Sequence, residues 1–283
     1  MNPVNETLAM NAVPTPLAFP PANEPAAPEP SARKAHVTIR GLTKRFGDQS
    51  LYENFDLDLP RGRVVTFFGP NGCGKSTLIN MICGLIPMDA GEVLFDGKTR
   101  EETTIGYVFQ NYRDALFPWK KAADNIQYPL RLRGVPKADA RRRVEELVAE
   151  FEVKFDLNRY PWELSGGQQQ LVSIMRALAP RPEVVFLDEP FSALDYEATL
   201  SIRERLQATF MRSGVTTVIV SHDLEEAVYL ADEVFLLTKR PTRVAEVVDV
   251  GLARPRGVQT LSQPDFVRTR AHCLEVFQRE VRR

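Results

Sequence analysis

Short runs of consecutive apolar residues recur from about residue 37 onward, and each run ends in glycine or in polar residues. The runs are residues 64–68, 105–109, 184–187, 216–220 and 234–237. Runs of this length without polar alternation are typical of strands buried on both faces of a parallel sheet. Helical patterns separate several of them, the first at residues 75–85. The pattern therefore predicts an α/β fold with a mainly parallel sheet covered by helices.

The middle third of the chain differs, because few strand signals occur between residues 110 and 164. Pro136 suits the first turn of a helix, where its missing N–H is not needed. Ala140, Val144 and Leu147 then follow at helical spacing. We therefore expect a helical insertion within the α/β core.

The two ends of the chain carry patterns of their own. Residues 1–35 are rich in proline and alanine, and such a segment buries too little apolar surface to offset its ordering entropy, which predicts a disordered tail. Residues 256–283 predict a C-terminal helical tail that Ser262 caps. The expected packing stripe of this helix is Phe266, Leu274, Phe277 and Val281.

Composition narrows the setting in which this fold works. The 283 residues include 36 Lys and Arg against 37 Asp and Glu, so no overall field favours nucleic acid or acidic lipid. The three cysteines form no spaced pair, which fits a reducing compartment. No apolar run approaches the roughly 18 residues of a membrane span, and no basic residue precedes Arg33 to mark a secretory signal. We therefore expect any membrane role to be exerted through partner proteins.

A glycine-rich segment connects the first apolar run to the first predicted helix, and it matches the pattern G-x-x-x-x-G-K-[ST]. Glycines allow backbone N–H groups to turn toward phosphates, and a helix N-terminus adds its positive dipole end. Lys75 is placed to reach the β- and γ-phosphates, and the Ser76 hydroxyl is placed to bind Mg²⁺. The residues expected to bind ATP here are Gly69, Pro70, Asn71, Gly72, Cys73, Gly74, Lys75, Ser76 and Thr77.

Two adjacent acids follow the apolar run at residues 184–187. A carboxylate at a strand end beside a phosphate loop can hold Mg²⁺, and the next acid can accept a proton from the attacking water. We assign Asp188 to the metal and Glu189 to the water. Adjacent acids alone are a weak signal, but after a phosphate loop they indicate nucleotide hydrolysis.

Three further motifs complete the set. The sequence LSGGQ occupies residues 164–168, SALD occupies residues 192–195, and His222 follows the run at residues 216–220. In this order and spacing, the motifs resemble the ABC ATPase family over most of the chain. The resemblance implies a P-loop NTPase core with a mainly parallel sheet, antiparallel β elements in its N-terminal part and a helical subdomain. The implied ABC ATPase domain covers residues 36–255, with the helical subdomain at about residues 111–178.

The resemblance also implies a role for each motif in a dimer. Ser165, Gly166, Gly167 and Gln168 correspond to the signature that caps the γ-phosphate of ATP held by the opposite subunit. Two chains in head-to-tail arrangement would then complete two sites. Asp195 corresponds to the family residue that communicates across this interface.

Three single residues acquire roles in the same way. Gln110 corresponds to the lid glutamine that senses Mg²⁺ and the attacking water, and His222 corresponds to the switch histidine at the γ-phosphate. Phe46 stands where the family places an aromatic ring against adenine, with Tyr52 as the alternative. The implied catalytic set is Glu189, His222 and Lys75, and the implied metal ligands are Ser76, Gln110 and Asp188. Without the surrounding motifs, His222 would be interpreted as a structural residue, and for Phe46 the alternative to stacking on adenine is core packing.

A narrower likeness concerns short stretches at residues 116–119, 124–126 and 237–241, which are similar to the nitrate, sulfonate and taurine importer family. It implies an ATP-hydrolysing importer subunit, peripheral on the cytoplasmic face of the cell membrane, with Mg²⁺ as cofactor. The implied partners are a second copy of the ATPase subunit, integral-membrane permease subunits and a separate solute-binding protein, with no nucleic acid. A soluble ABC-type ATPase without a permease is the alternative. Leu171 and Thr242 depart from the usual arginine and glycine of the family, and neither carries an assigned role.

Overall fold

A computed structural model provides the structure of the protein and describes residues 34–192, 194 and 196–282. The strands are β1 Ala35–Phe46, β2 Gln49–Pro60, β3 Val64–Phe68, β4 Ala90–Phe95, β5 Ile105–Val108, β6 Val184–Asp188, β7 Thr216–Val220, β8 Glu233–Leu237 and β9 Val244–Asp249. The helices are α1 Lys75–Ile82, α2 Tyr112–Ala115, α3 Ala122–Leu132, α4 Lys137–Glu150, α5 Gly166–Leu178, α6 Tyr196–Ser213, α7 Leu224–Leu230 and α8 Pro264–Arg282. The tail expected to be disordered lies almost wholly outside the described residues.

The larger sheet has six strands in the order β5-β6-β7-β3-β8-β9. Its first five strands run parallel, and β9 pairs with β8 in the antiparallel direction. Every residue of β3, β6, β7 and β8 is buried, as the uninterrupted apolar runs predict. The mainly parallel sheet is thereby confirmed, and all five predicted runs form strands.

The smaller sheet is antiparallel and has the order β2-β1-β4. Strands β1 and β2 form a hairpin in which Phe46 pairs with Gln49 across the turn. Many positions in these two strands alternate between buried and exposed, as expected for a sheet with one solvated face. The antiparallel elements implied for the N-terminal part are thus present.

Helices α2 to α5 form the predicted helical insertion between β5 and β6. Pro136 immediately precedes α4, and Ala140, Val144 and Leu147 are buried on the inner face of that helix, as predicted. Ile126 of α3 joins the same hydrophobic cluster as these residues. The insertion and one face of the large sheet therefore share a core.

Two helix predictions were wrong in detail. Helix α1 ends at Ile82 rather than at Leu85, because Gly84 adopts a left-handed φ of 73° and the Leu85 N–H donates back to the Asn80 carbonyl. At the other end of the chain, Ser262 lies in a 3-10 turn and does not cap α8, which begins at Pro264.

The packing stripe of α8 also differs from the expected one. Leu274 is 43% exposed, whereas Phe266, Cys273 and Val276 are buried in the main core cluster. Phe277 contributes as expected, with its ring centroid 5.1 Å from that of Phe68. The buried positions follow the helical period from Phe266, and Leu274 falls outside that face.

None of the helices in the described part of the chain is both long and apolar enough to cross a membrane.

Candidate functional site

The functional residues predicted from separate motifs meet at the carboxyl ends of the parallel strands. The loop after β3, Gln110 after β5, Glu189 after β6 and His222 after β7 surround one cavity of about 510 Å³. Its lining residues are Asn71, Gly72, Gly74, Lys75, Ser76, Thr77, Gln110, Glu189, His222 and Arg240. Ligands of open parallel sheets bind at this edge, so the fold alone already favours a site here.

The loop between β3 and α1 requires glycine for two different reasons. Gly74 precedes the first residue of α1 with a left-handed φ of 105°, and a Cβ there would lie 2.8 Å from a methyl carbon of Leu51. At Gly69, a Cβ would lie only 2.9 Å from the backbone oxygen of Leu237. The loop therefore packs closely against β2 and β8. Its backbone N–H groups lie at the N-terminal end of α1, as a phosphate-binding loop requires.

Lys75 begins α1, and its side chain folds back over the loop. The Nζ atom donates to the backbone oxygens of Gly69, at 2.8 Å, and Pro70, at 3.1 Å. These bonds hold a largely buried ammonium group at the base of the cavity. An ammonium carries three donors, so a further donor is free to bind an anion bound by the loop.

Asp188 and Ser76 lie next to each other below this loop. The Ser76 hydroxyl donates to Asp188 Oδ1 at 2.9 Å. Burial is the largest cause that raises the pKa of Asp188 to about 6, and the neighbouring Glu189 carboxylate also raises it, whereas Ser76 and Lys75 lower it. Burial disfavours the charged form of this carboxylate unless a cation is nearby. Together with the hydroxyl, it suits a hard divalent cation, which prefers oxygen ligands. The residues present therefore fit Mg²⁺.

Glu189 receives two polar side chains at the same oxygen. Gln110 Nε2 donates to Glu189 Oε2 at 2.9 Å, and His222 Nδ1 lies 3.3 Å from the same atom. The backbone of Glu189 has a left-handed φ of 46°, which is uncommon for a residue other than glycine and marks local strain. A carboxylate held by two neighbours at the cavity wall is placed to accept a proton from a bound water.

The signature residues form a separate, capped helix N-terminus at the start of α5. Ser165 is the N-cap of this helix, and its Oγ accepts from the Gln168 N–H at 3.3 Å while Gln168 Oε1 accepts from the Ser165 N–H at 3.0 Å. Gly166 and Gly167 occupy the first turn, where backbone N–H groups lack helical partners. Ser165, Gly167 and Gln168 line a different cavity from Lys75. Within one chain, the structure does not bring the two phosphate-binding motifs together.

The candidate base-stacking residues differ in exposure. Phe46 is 51% exposed at the end of β1, and Lys44 Nζ lies 5.3 Å from its ring centroid. Tyr52 is fully buried and donates its hydroxyl hydrogen to the Gly74 oxygen at 3.1 Å, so its ring has no free face for a base. Cys73 is likewise buried and is not among the residues that line the cavity around Lys75. Asp195 lies outside the described residues.

Arg240 is the cavity residue for which the sequence indicated no role. It follows β8 by three positions, on the turn that leads to β9. No spacing rule connects it to the phosphate loop, because the contact arises only from the pairing of β8 with β3. In the sequence, the Arg-Pro dipeptide indicates a turn at this position but no contact with the phosphate loop.

The chain is similar in sequence to known proteins of the family that the site motifs indicate. The sequence profile of the family described as "ABC transporter" matches residues 52–192. An uncharacterized ABC transporter ATP-binding protein of Methanocaldococcus jannaschii is 35% identical over 254 residues, which are 88% of this chain and 93% of that protein. The sulfate/thiosulfate import ATP-binding protein of Thermosynechococcus vestitus is 42% identical over 208 residues, 72% of this chain and 61% of that protein. This chain belongs to the ABC transporter family.

A solved structure gives the same result. A dimeric ATP-binding cassette in a post-hydrolysis state, bound to ADP and Pi, is 31% identical, with a TM-score of 0.66 over 75% of this chain and 98% of that one. The fold is that of an ABC ATPase, and the chain is an ABC-type ATPase. It spans about 60% of the length of several import ATP-binding proteins that it resembles.

Proposed function

We propose that this chain is the ATP-binding and ATP-hydrolysing subunit of an importer and that it drives solute transport through a partner permease. The observation that carries the proposal is the meeting of Gln110 and His222 at one oxygen of Glu189, beside the Lys75 ammonium. A module that only binds nucleotide needs no such base. The import function rests on relatives whose names describe import of sulfate or thiosulfate, of Fe(3+) ions and of spermidine or putrescine.

Hydrolysis follows from the residues around the cavity. The loop N–H groups and Lys75 hold the β- and γ-phosphates of ATP. Ser76, Asp188 and Gln110 would hold Mg²⁺, which would neutralise phosphate charge. Glu189 accepts a proton from a water whose oxygen attacks the γ-phosphorus, while the bond to the ADP oxygen breaks. His222 donates a hydrogen bond to the γ-phosphate oxygens as their charge redistributes.

The site requires a second subunit. In one chain the Ser165 hydroxyl and the first N–H groups of α5 line a cavity that Lys75 does not reach. In a head-to-tail dimer, these groups would close over the γ-phosphate of the ATP that the second copy binds. The dimeric solved relative supports this arrangement. Asp195 follows Glu189 closely along the chain and would report closure across the interface.

The helical insertion would transmit this closure. Gln110 contacts Glu189 and immediately precedes the insertion, so a change in the hydrogen bonding of Glu189 acts on the residue where the insertion begins. Binding and loss of the γ-phosphate would thereby shift the insertion between two positions and move a permease. We place the assembly on the cytoplasmic face of the cell membrane, together with a separate solute-binding protein.

The proposed cargo is a small anion. The stretches at residues 116–119 and 237–241 favour a nitrate-, sulfonate- or taurine-like small anion. The relatives named above import solutes of very different charge with similar ATPase sequences. The solute is therefore selected by the permease and the solute-binding protein.

Affinity purification of the tagged chain from detergent-solubilised membranes tests the proposal. We expect a polytopic permease to co-purify, identified by mass spectrometry. Trp119 is 69% exposed in the helical insertion, so Trp119→Ala should reduce permease recovery. Met211 is 50% exposed on α6, outside the insertion, and Met211→Ala should not reduce it. Recovery of soluble partners alone would support instead the alternative of a soluble ABC-type ATPase.

A further inference from the structure

Arg240 bridges two parts of the nucleotide cavity that are distant in sequence. Its Nε donates to the Gly72 oxygen of the phosphate loop at 2.7 Å. One terminal nitrogen donates to Gln49 Oε1 at 3.2 Å, on the β1–β2 hairpin. The guanidinium therefore lies between the phosphate loop and the hairpin that carries Phe46.

The fold does not need this side chain to join the same segments. Thr242 is buried on the same turn, and its N–H donates to the Leu51 oxygen of β2 at 2.8 Å. The Thr242 hydroxyl also donates to the Cys73 oxygen of the phosphate loop. Thr242 thus attaches the turn to both elements from within the core. Arg240 is exposed and adds a positive charge at the cavity wall.

The partners of Arg240 indicate which end of a nucleotide it faces. Gln49 is the cross-strand neighbour of Phe46, the residue expected to stack on adenine. Gly72 precedes Lys75, the residue expected at the β- and γ-phosphates. The described hydrogen bonds of Arg240 go to these two segments, and neither involves Glu189 or His222. The two bonds use two of the five guanidinium N–H donors, so others can reach a ligand.

We propose that Arg240 is a nucleotide-binding residue that contacts the ribose and α-phosphate end of ATP, between the base on Phe46 and the phosphates on Lys75. The inference rests on the proposed function of this cavity. A guanidinium forms strong charge-assisted hydrogen bonds with phosphate oxygens and keeps its charge at any working pH. ATP and ADP share this end of the molecule, so Arg240 binds both alike. Such uniform binding lowers the KM for ATP and leaves kcat unchanged.

The test compares R240Q with the matched control K239Q, which removes the neighbouring positive charge on the same exposed turn. Dissociation constants for ATP and for ADP are measured by calorimetry, together with kcat and KM of hydrolysis. We expect R240Q to raise the dissociation constants for ATP and for ADP by the same factor, about tenfold, because one charged hydrogen bond is lost. The kcat of R240Q should stay within about twofold of wild type, and K239Q should behave like wild type.

Two other outcomes would overturn the inference. Weaker binding of ATP with unchanged binding of ADP would place the guanidinium at the γ-phosphate. Unchanged dissociation constants for ATP and ADP would show that Arg240 does not contact the nucleotide. R240K distinguishes a direct contact with the nucleotide from a structural role, because lysine retains the charge and should recover part of the affinity. The Tm of nucleotide-free R240Q should match that of wild type. A wild-type chain that binds no ATP would instead refute the proposed function itself.

Discussion

Gln110 and Glu189 are 79 positions apart in the chain, yet Gln110 Nε2 donates to Glu189 Oε2 at 2.9 Å. The contact exists because β5 and β6 are parallel neighbours whose carboxyl ends coincide. One member of the pair is the expected proton acceptor, and the other immediately precedes the helical insertion. One hydrogen bond therefore joins the expected proton acceptor to the residue at which the helical insertion begins.

Replacement of Gln110 tests this relationship. Gln110→Ala removes the amide that orients the carboxylate, so we expect kcat to fall about 10- to 100-fold. The dissociation constant for ATP measured without Mg²⁺ should change little, because the phosphate loop is untouched. Asn111→Ala alters the next, exposed residue and serves as the control. Wild-type turnover in Gln110→Ala would show that the contact has no part in hydrolysis.

His222→Gln should lower kcat about 100-fold while ATP binding persists. The ring lies 3.3 Å from Glu189 Oε2 through Nδ1, so its removal takes a neighbour from the base and a donor from the γ-phosphate. The surface residue His272, which contacts Glu246 instead, gives the matched control His272→Gln. Steady-state hydrolysis by both variants decides the matter, and equal losses in the two would contradict a specific role for His222.

A buried histidine away from the site should make the fold sensitive to acid. His36 Nδ1 lies 2.6 Å from Thr216 Oγ1, and burial lowers the pKa of His36 to about 4, with the positive charge of Arg61 adding to the effect. Lys34 and Lys98 also lower this pKa, whereas Glu183 raises it. The unfolded chain takes up the proton near its ordinary value of 6.5, so the folded state loses stability as the pH falls from 6.5 toward 4.

This loss amounts to about 3 kcal/mol at most, and it fades out as the pH rises above 6.5. His36→Asn keeps a polar atom near Thr216 and removes the titrating ring. Urea unfolding at pH 7 and pH 4.5 should show a smaller acid-induced decrease in the variant than in wild type. Equal decreases in the two proteins would assign the acid sensitivity to other groups.

Much of the fold could be predicted because buried parallel strands leave an unambiguous pattern. The run at residues 216–220 has five consecutive apolar or threonine positions, all of them buried in β7. Motif spacing likewise predicts that Asp188 lies near Ser76, since strand ends of one parallel sheet share an edge, and the two side chains are hydrogen-bonded.

The parts that could not be predicted depend on tertiary contacts. The period of α8 allowed Leu274 in the buried face, but only the position of the helix on the sheet reveals that Cys273 and Val276 are buried instead. Arg240 illustrates the same limit at the site. Its neighbours Gly72 and Gln49 are 168 and 191 positions away, and no local pattern encodes such distances.

The central claim is that two chains complete each hydrolytic site. Sedimentation velocity of Glu189→Gln with ATP and Mg²⁺ tests it most directly, because this variant should bind ATP without consuming it. We predict a monomer without nucleotide or with ADP, a stable dimer with ATP, and loss of that dimer when Ser165→Arg is added. A Glu189→Gln protein that remains monomeric at saturating ATP, or that hydrolyses ATP at the wild-type rate, would contradict the account.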